Sequence, residues 1–258
     1  MGINRRGFIK VAGLSTLAGL TGKTALSVLA DEEAEQVVRT GEALSAKRWA
    51  MVIDLHKCQQ KNGCTACIDA CHAIHNVPDF DNPKDEIKWI WKEDFEGAFP
   101  NQDHEFLKED IRHATPVVFC NHCDNPPCVR VCPTQSTWKR EDGVVMMDMH
   151  RCIGCRYCVV ACPYGSRSFN WRDPRPHIKE IDPDFPTRSR GVVEKCNFCA
   201  ERLARGQIPA CVEACEEKAL VFGDLEDPES EIRELLRTKH TIRRKPALGT
   251  NPEIYYIV

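Results

Sequence analysis

The chain has 258 residues, 16 of them cysteine, with a formal charge of -3 and 28% charged residues. That length allows one or two domains with cores of their own, so the cysteines are not the disulfide staples of a small secreted domain that lacks a core. The near-neutral charge excludes the basic footprint of a nucleic-acid binder, and the one local basic stretch, RTKHTIRRKP (237–246), is expected to be solvated surface.

In chain order the first feature is Asn4-Arg5-Arg6-Gly7-Phe8-Ile9-Lys10, which resembles the twin-arginine export signal, two arginines ahead of an apolar residue and a lysine. Val11 to Ala30 follows as a weakly apolar stretch. Gly13, Gly19, Gly22 and Lys23 make it a poor spanning helix, and Val28-Leu29-Ala30 offers the short side chains at which a signal peptidase cuts. A surface helix or a retained anchor are the alternatives. No later stretch holds the ~18 apolar residues of a membrane helix, so the body is expected to be soluble or peripheral, on the extracytoplasmic face of the membrane. The twin-arginine route carries folded proteins. Thiols that take up a cofactor before export would therefore reach an oxidising compartment already protected.

The cysteines fall into four sets of four with none left over: Cys58, Cys64, Cys67, Cys71; Cys120, Cys123, Cys128, Cys132; Cys152, Cys155, Cys158, Cys162; and Cys196, Cys199, Cys211, Cys215. In each, the last two are four apart. The third set, CIGCRYCVVACP, has the spacing of the bacterial ferredoxin run, whose fourth cysteine ligates the other cluster of a two-cluster unit. That fourth cysteine is expected to start a helix, with Pro133 and Pro163 at the first helical position in sets two and three; His72 and Glu216 replace the proline in sets one and four. Only PTQSTWKREDGVVMMDMHR separates Cys132 from Cys152, and its Asp142-Gly143 reads as a hairpin turn between short strands. Two sets joined by one hairpin share a unit, which leaves sets one and four to form the other. Apolar runs RWAMVIDL (48–55) and ALVFGDL (219–225) flank these and can pair as strands. Between sets one and two, EIKWIWKEDF (86–95) puts Trp89 and Trp91 on one face if extended, most simply a core face, while EDFEGAF (93–99) reads as an acidic loop. The ending NPEIYYIV docks either on the body or on a neighbour.

Closely spaced thiolates suit an iron-sulfur cluster. Zinc is the alternative, but it usually joins two separate CxxC knuckles, whereas three of these sets crowd their first three thiols. No CxxCH is present for haem. With sixteen cysteines available, His56, His72, His75 and His122 are expected to support ligands or structure rather than to ligate. Arg156 and Lys195 adjoin cysteines, either raising a local potential or lying at the surface. No GxGxxG, phosphate loop or HExxH occurs, and nothing nominates a catalytic pair, so the chain reads as a conductor without an active site of its own.

The segments CNHCDNPPCVRVCPT (120–134), CIGCRYCVVACPYGSR (152–167), VEKCNFCAERL (193–203), CVEAC and FGDLEDPES resemble the four-cluster ferredoxin subunits of membrane-bound respiratory oxidoreductases, a likeness that covers nearly everything after residue 48. More narrowly, CTACIDACHAIHNVP (64–78), EIKWIW (86–91) and RRKPALGTNPEIYYIV (243–258) look like the extracytoplasmic iron-sulfur subunit, DsrO type, of the Dsr sulfite-reduction-associated complex. The resemblance implies an α+β fold of two pseudo-symmetric ferredoxin-like lobes with inserted loops, stabilised by four 4Fe-4S clusters. Residues 1–30 are the signal segment, 31–47 a linker, 48–71 with 192–258 one lobe, 72–113 an insertion, 114–171 the other lobe and 172–191 a connecting loop. Carried over motif by motif, the iron ligands are Cys58, Cys64, Cys67 with Cys215; Cys196, Cys199, Cys211 with Cys71; Cys120, Cys123, Cys128 with Cys162; and Cys152, Cys155, Cys158 with Cys132. Two departures from the pattern are the five residues between Cys58 and Cys64, where relatives have two, and Glu216 in place of proline. The implied partners are an integral membrane quinone-interacting subunit, a c-type multihaem cytochrome and other subunits of the complex. The implied function is electron relay. An electron-transfer subunit of a molybdopterin reductase for polysulfide, tetrathionate or nitrite-like substrates is the alternative, and a zinc-stabilised scaffold is the alternative from another class.

Overall fold

The run WAMVID is apolar at every position but the last because both faces of the strand it forms are covered. In the computed structural model, which describes residues 42–61 and 63–258, this strand β1 (Trp49–Asp54) is followed by α1 (Leu55–Gln59), α2 (Ala66–Ile74), β2 (Ile90–Lys92), α3 (Phe95–Ala98), α4 (Glu109–Arg112), β3 (Val117–Phe119) and α5 (Pro127–Arg130). Then come β4 (Thr137–Lys139), β5 (Val145–Met147), α6 (Tyr157–Ala161), β6 (Ser168–Phe169), β7 (Val193–Glu194), α7 (Ala200–Leu203), α8 (Ala210–Glu213), β8 (Leu220–Asp224), α9 (Glu231–Thr238), β9 (Thr241–Ile242) and β10 (Ile254–Ile257). The twin-arginine segment and the start of the linker lie outside the described residues. No described helix is long and apolar enough to cross a membrane.

β1 pairs antiparallel with β8, Trp49 opposite Asp224 and Ile53 opposite Leu220, so the two apolar runs that flank the outer cysteine sets do meet. On its other edge it runs parallel to β10, which pairs with β9, giving the order β8-β1-β10-β9. The ending NPEIYYIV is thus an internal strand of this sheet. Alternation divides the burial. Trp49, Met51 and Ile53 face the main core, while Ala50 and Val52 pack with Ile257 against Ile232 of α9. Aspartates begin two of the helices. Asp54 accepts from the Lys57 N–H at the start of α1 and Asp94 from the Gly97 N–H at the start of α3, contacts each worth about 1 kcal/mol. The acidic stretch 93–99 therefore holds a helix cap rather than a plain loop, and Glu93 accepts from the Trp91 indole.

Three two-stranded ladders complete the fold. β4 and β5 form the hairpin expected around Asp142-Gly143, with Gly143 at φ 85°. β2 pairs with β3, bringing Trp91 and its neighbour Trp89 into the core. β6 pairs with β7 across the 172–191 segment.

Two expectations need correction. The fourth cysteine of a set does not start a helix. Cys71 lies inside α2, while Cys132, Cys162 and Cys215 follow the ends of α5, α6 and α8. Cys162 is extended (φ -81°, ψ 110°) because the ring of Pro163 forbids the helical region to the residue before it; Pro163 stops a helix rather than opening one. The proline that does open a helix is Pro127, just ahead of Cys128. The basic stretch 237–246 is solvated only in its first part, since Arg244 is buried, donates to the Ala98 carbonyl and lies over the Tyr164 ring.

Candidate metal-cluster sites

All four sets share a backbone device. The residue just before the second cysteine has positive φ: 41° at His122, 71° at Gly154 and 57° at Phe198. Gly63, before Cys64, repeats it at 71°. This left-handed residue curls each loop so that consecutive thiols turn toward one point. Glycine takes it freely, whereas for His122 and Phe198 it costs about 1 kcal/mol or more. Both are held by each other, their rings stacked at 3.7 Å between centroids and 13° between planes.

All sixteen cysteines are free thiols. Cys58, Cys64, Cys67 and Cys215 line one cavity. Burial pushes the Cys67 thiol up to about 12, and Cys58, Cys215 and Cys64 beside it add to the rise. Cys71, fully buried, has Cys196, Cys199 and Cys211 as its neighbours and is pushed up well beyond the ordinary range, by burial first and by those thiols second. Around Cys123 lie Cys120, Cys128 and Cys162; burial and then Cys120 raise it to about 12. Cys158 lies near Cys128 and Cys152. Cys155 follows on the same loop as Cys152. Cys132 stands apart, bonded to the Ser136 hydroxyl at 3.2 Å. Burial pushes it up, but Ser136, the Thr137 N–H and Thr134 together outweigh that and bring it down to about 7.

Thiol groups also adjoin one another. Cys67 and Cys71, one turn apart on one face of α2, face the Cys58 and Cys196 groups; the thiol that most affects Cys196 is Cys120; and Cys128 neighbours Cys158. Helices α2 and α8 pack together, as do α5 and α6.

Crowded buried thiols resist ionising alone, but a metal core deprotonates a coordinating thiol outright. All-sulfur donor sets fit soft sites of iron-sulfur or zinc type. The surrounding cations fit the same chemistry. Lys195 is 2% exposed and donates to the carbonyls of Val145 and Cys196. Arg167 is 4% exposed and donates to the Cys128 sulfur at 3.1 Å. Neither pairs with a carboxylate among the described residues. A buried cation without a counter-charge is costly, and an anionic thiolate-ligated cluster would supply that charge.

The histidines around the sites make hydrogen bonds of their own, and His75, Cys199 and Glu201 bring their ligand atoms within 4.8 Å of one another. His75 bridges the Cys71 carbonyl and the Glu201 carboxylate, both at 2.9 Å. Burial pushes Glu201 up, but the hydrogen bond and charge of His75, its own backbone N–H and the Asn197 amide together outweigh that and hold the carboxyl below its usual range. His122 accepts the Val145 N–H on Nδ1, and burial, with Lys195 and Arg167 nearby, holds it well below its ordinary range and so neutral. His56 is half exposed beside Asp110, and the buried His72 Nε2 has no partner. Arg156 lies over the rings of Trp171 and Phe169.

A family model described as a 4Fe-4S dicluster domain matches residues 114–176 and 184–225. The Hdr-like menaquinol oxidoreductase iron-sulfur subunit 1 of Archaeoglobus fulgidus is 37% identical, over 98% of this chain and 97% of its own. The chain belongs to the family of 4Fe-4S ferredoxin-type iron-sulfur subunits. The iron-sulfur cluster-binding subunit of the menaquinone reductase of Nitratidesulfovibrio vulgaris is 37% identical over 81% of this chain and 88% of its own. A tetrathionate reductase subunit from Salmonella typhimurium is 35% identical over 95% of this chain and 86% of its own. As a member of this family the chain is an electron-transfer subunit, and its thiols serve iron-sulfur clusters rather than zinc. Arg167, the burial of Lys195 and the His75–Glu201 pair were not legible in the cysteine spacing. Their only trace in the sequence is position, Lys195 beside Cys196 and Arg167 five residues beyond Cys162.

Proposed function

We propose that the chain relays electrons through four 4Fe-4S clusters, two in each of two pseudo-symmetric ferredoxin-like lobes. The relay runs between an integral membrane quinone-interacting subunit and an extracytoplasmic redox partner, a c-type multihaem cytochrome, in a complex of the Dsr sulfite-reduction-associated type. The carrying observation is the run of adjoining thiol groups: Cys67 and Cys71 one turn apart between the Cys58 and Cys196 groups, Cys196 beside Cys120, and Cys128 beside Cys158; in this reading Cys155 and Cys132 complete the last site. In this reading the third and fourth cysteines of each set serve adjacent sites, as the different neighbours of Cys67 and Cys71 on α2 indicate. The menaquinol and menaquinone activities in the names of the Archaeoglobus and Nitratidesulfovibrio relatives support the quinone end. The tetrathionate relative keeps the second reading, a molybdopterin reductase subunit, in play.

Anaerobic isolation of the native complex tests this. Expected are about sixteen iron and sixteen sulfide per chain, a co-purifying membrane subunit and c-type haem, and cluster reduction by a menaquinol analogue. A molybdopterin subunit without haem would move the assignment to the second reading, and zinc with negligible iron would sink both. We also place the chain on the extracytoplasmic face, on the strength of Arg5 and Arg6.

A further inference from the structure

We propose that Arg167 is a positioning residue for two redox sites at once, its guanidinium shared between Cys128 and Cys158 so that the clusters of the Cys120 and Cys152 quartets are both easier to reduce. The inference rests on the four-cluster reading above. Arg167 follows Cys162 by a short loop that reverses at Gly165 (φ 66°) and is tied down by the Ser166 hydroxyl on the Phe119 carbonyl. The loop delivers a guanidinium between α5 and α6, one of which carries Cys128 and the other Cys158. Nη2 donates to Cys128 Sγ at 3.1 Å and to Thr137 Oγ1 at 2.8 Å, and Nη1 to Met147 Sδ at 3.7 Å. Cys158, on the facing helix, is the next thiol beside the same guanidinium.

The contrast with Arg188 shows what is unusual here. Arg188 is equally buried, but Glu194 pairs with it at 2.5 Å and its remaining bonds go to backbone carbonyls of His75, Asn76 and Pro186. That arginine closes its own charge balance. Arg167 instead has thiols as its ionisable neighbours, Cys128 and Cys158 first and Cys120 next, and no carboxylate partner among the described residues. Lys195, the other buried cation at the sites, gives its protons to carbonyls rather than to sulfur.

Reduction adds one electron, and so one negative charge, to a thiolate-ligated cluster; no bond forms or breaks and no proton moves. A fixed positive charge in hydrogen-bond contact with a ligand sulfur stabilises the reduced form more than the oxidised one, because net charge and hydrogen bonds to sulfur both set the potential. Arginine keeps its charge at any pH the protein meets, so the bias is permanent. Electrons entering from either end would favour the pair of sites that Arg167 joins.

The test compares wild type, Arg167→Met and Arg167→Lys as full chains, loaded and handled anaerobically, by iron and sulfide content and by dithionite titration followed by paramagnetic resonance. In Arg167→Met with full iron, two of the four transitions should move to lower potential, the reduced-to-oxidised ratio of those clusters at the wild-type midpoint falling at least tenfold, about 59 mV for one electron. Arg167→Lys, which keeps the charge and loses the fork, should show a smaller shift of the same two. Full iron with all four midpoints unmoved, or all four moved equally, overturns the proposal. Should Arg167→Met lose iron, Arg167→Lys decides: a downshift confined to the same two transitions supports the role, and no shift refutes it. A wrong iron count in wild type defeats the four-cluster reading, whereas a correct count with unmoved midpoints defeats only the role of Arg167.

Discussion

Gly154 and Gly165 both have positive φ, yet only the first has something to strike. A Cβ on Gly154 would lie 2.3 Å from the Gly191 carbonyl oxygen, whereas one on Gly165 would meet nothing within 4 Å. Gly154→Ala should therefore lower stability by on the order of 3 kcal/mol and reduce iron retention, while Gly165→Ala should cost only about 1 kcal/mol. Anaerobic denaturant titration with iron analysis separates them, and equal losses would contradict the contact argument. Glu253 supplies a pH test. Its carboxyl is buried, Oε2 has no partner, Arg48 is 3.7 Å from Oε1, and burial pushes its pKa from 4.5 up to about 7. The folded state thus binds the proton more tightly than the unfolded chain. That stabilisation is complete below about pH 4.5 and is lost as pH rises to about 7. Glu253→Gln stays neutral, so its stability advantage over wild type should widen across that window and level off above it, on the order of 2 kcal/mol. Thermal melts at several pH values check this; a pH-independent difference would show that the carboxyl is not shifted.

At the scale of the element, the unit of the site is a short helix that shows two thiols one turn apart. On α2 these are Cys67 and Cys71, which belong to different groups of neighbours, and the partner helix α8 carries Cys211 with Cys215 just beyond. This exchange predicts which substitutions look alike. Cys162→Ala should perturb the same cluster signal as Cys120→Ala, and Cys215→Ala the same one as Cys64→Ala, in redox-titrated paramagnetic resonance. If Cys162→Ala instead reproduced Cys155→Ala, each motif would close its own cluster. The hairpin and the β1–β8 pairing were readable because turn chemistry and apolar runs are local signals. The helix boundaries at Pro133 and Pro163 were misread because proline serves both ends of a helix, before the first turn or after the last, and spacing alone does not tell which.

For the whole molecule, the proposed extracytoplasmic placement ties export to cofactor loading. A folded, cluster-filled chain needs a route that accepts folded cargo, so Arg5→Lys with Arg6→Lys should leave the iron-loaded protein in the cytoplasm, as measured by cell fractionation with iron content. Wild-type export of that double variant would remove the basis for an extracytoplasmic placement.

Sixteen cysteines in four sets and the strands that flank the outer sets were determined by the sequence itself, because chelating thiols a few residues apart and short apolar runs are local signals. Only the tertiary structure decided that Cys196 lies next to Cys120, that Cys132 stands apart on Ser136, and that NPEIYYIV is an internal strand. It also decided which cations are buried. Arg167, Lys195 and Arg244 read like any other basic residue until the chain packs over them. The reason is physical: a charge gains or loses free energy by what surrounds it in space, and the thiols that surround Arg167 come from segments that the sequence keeps apart.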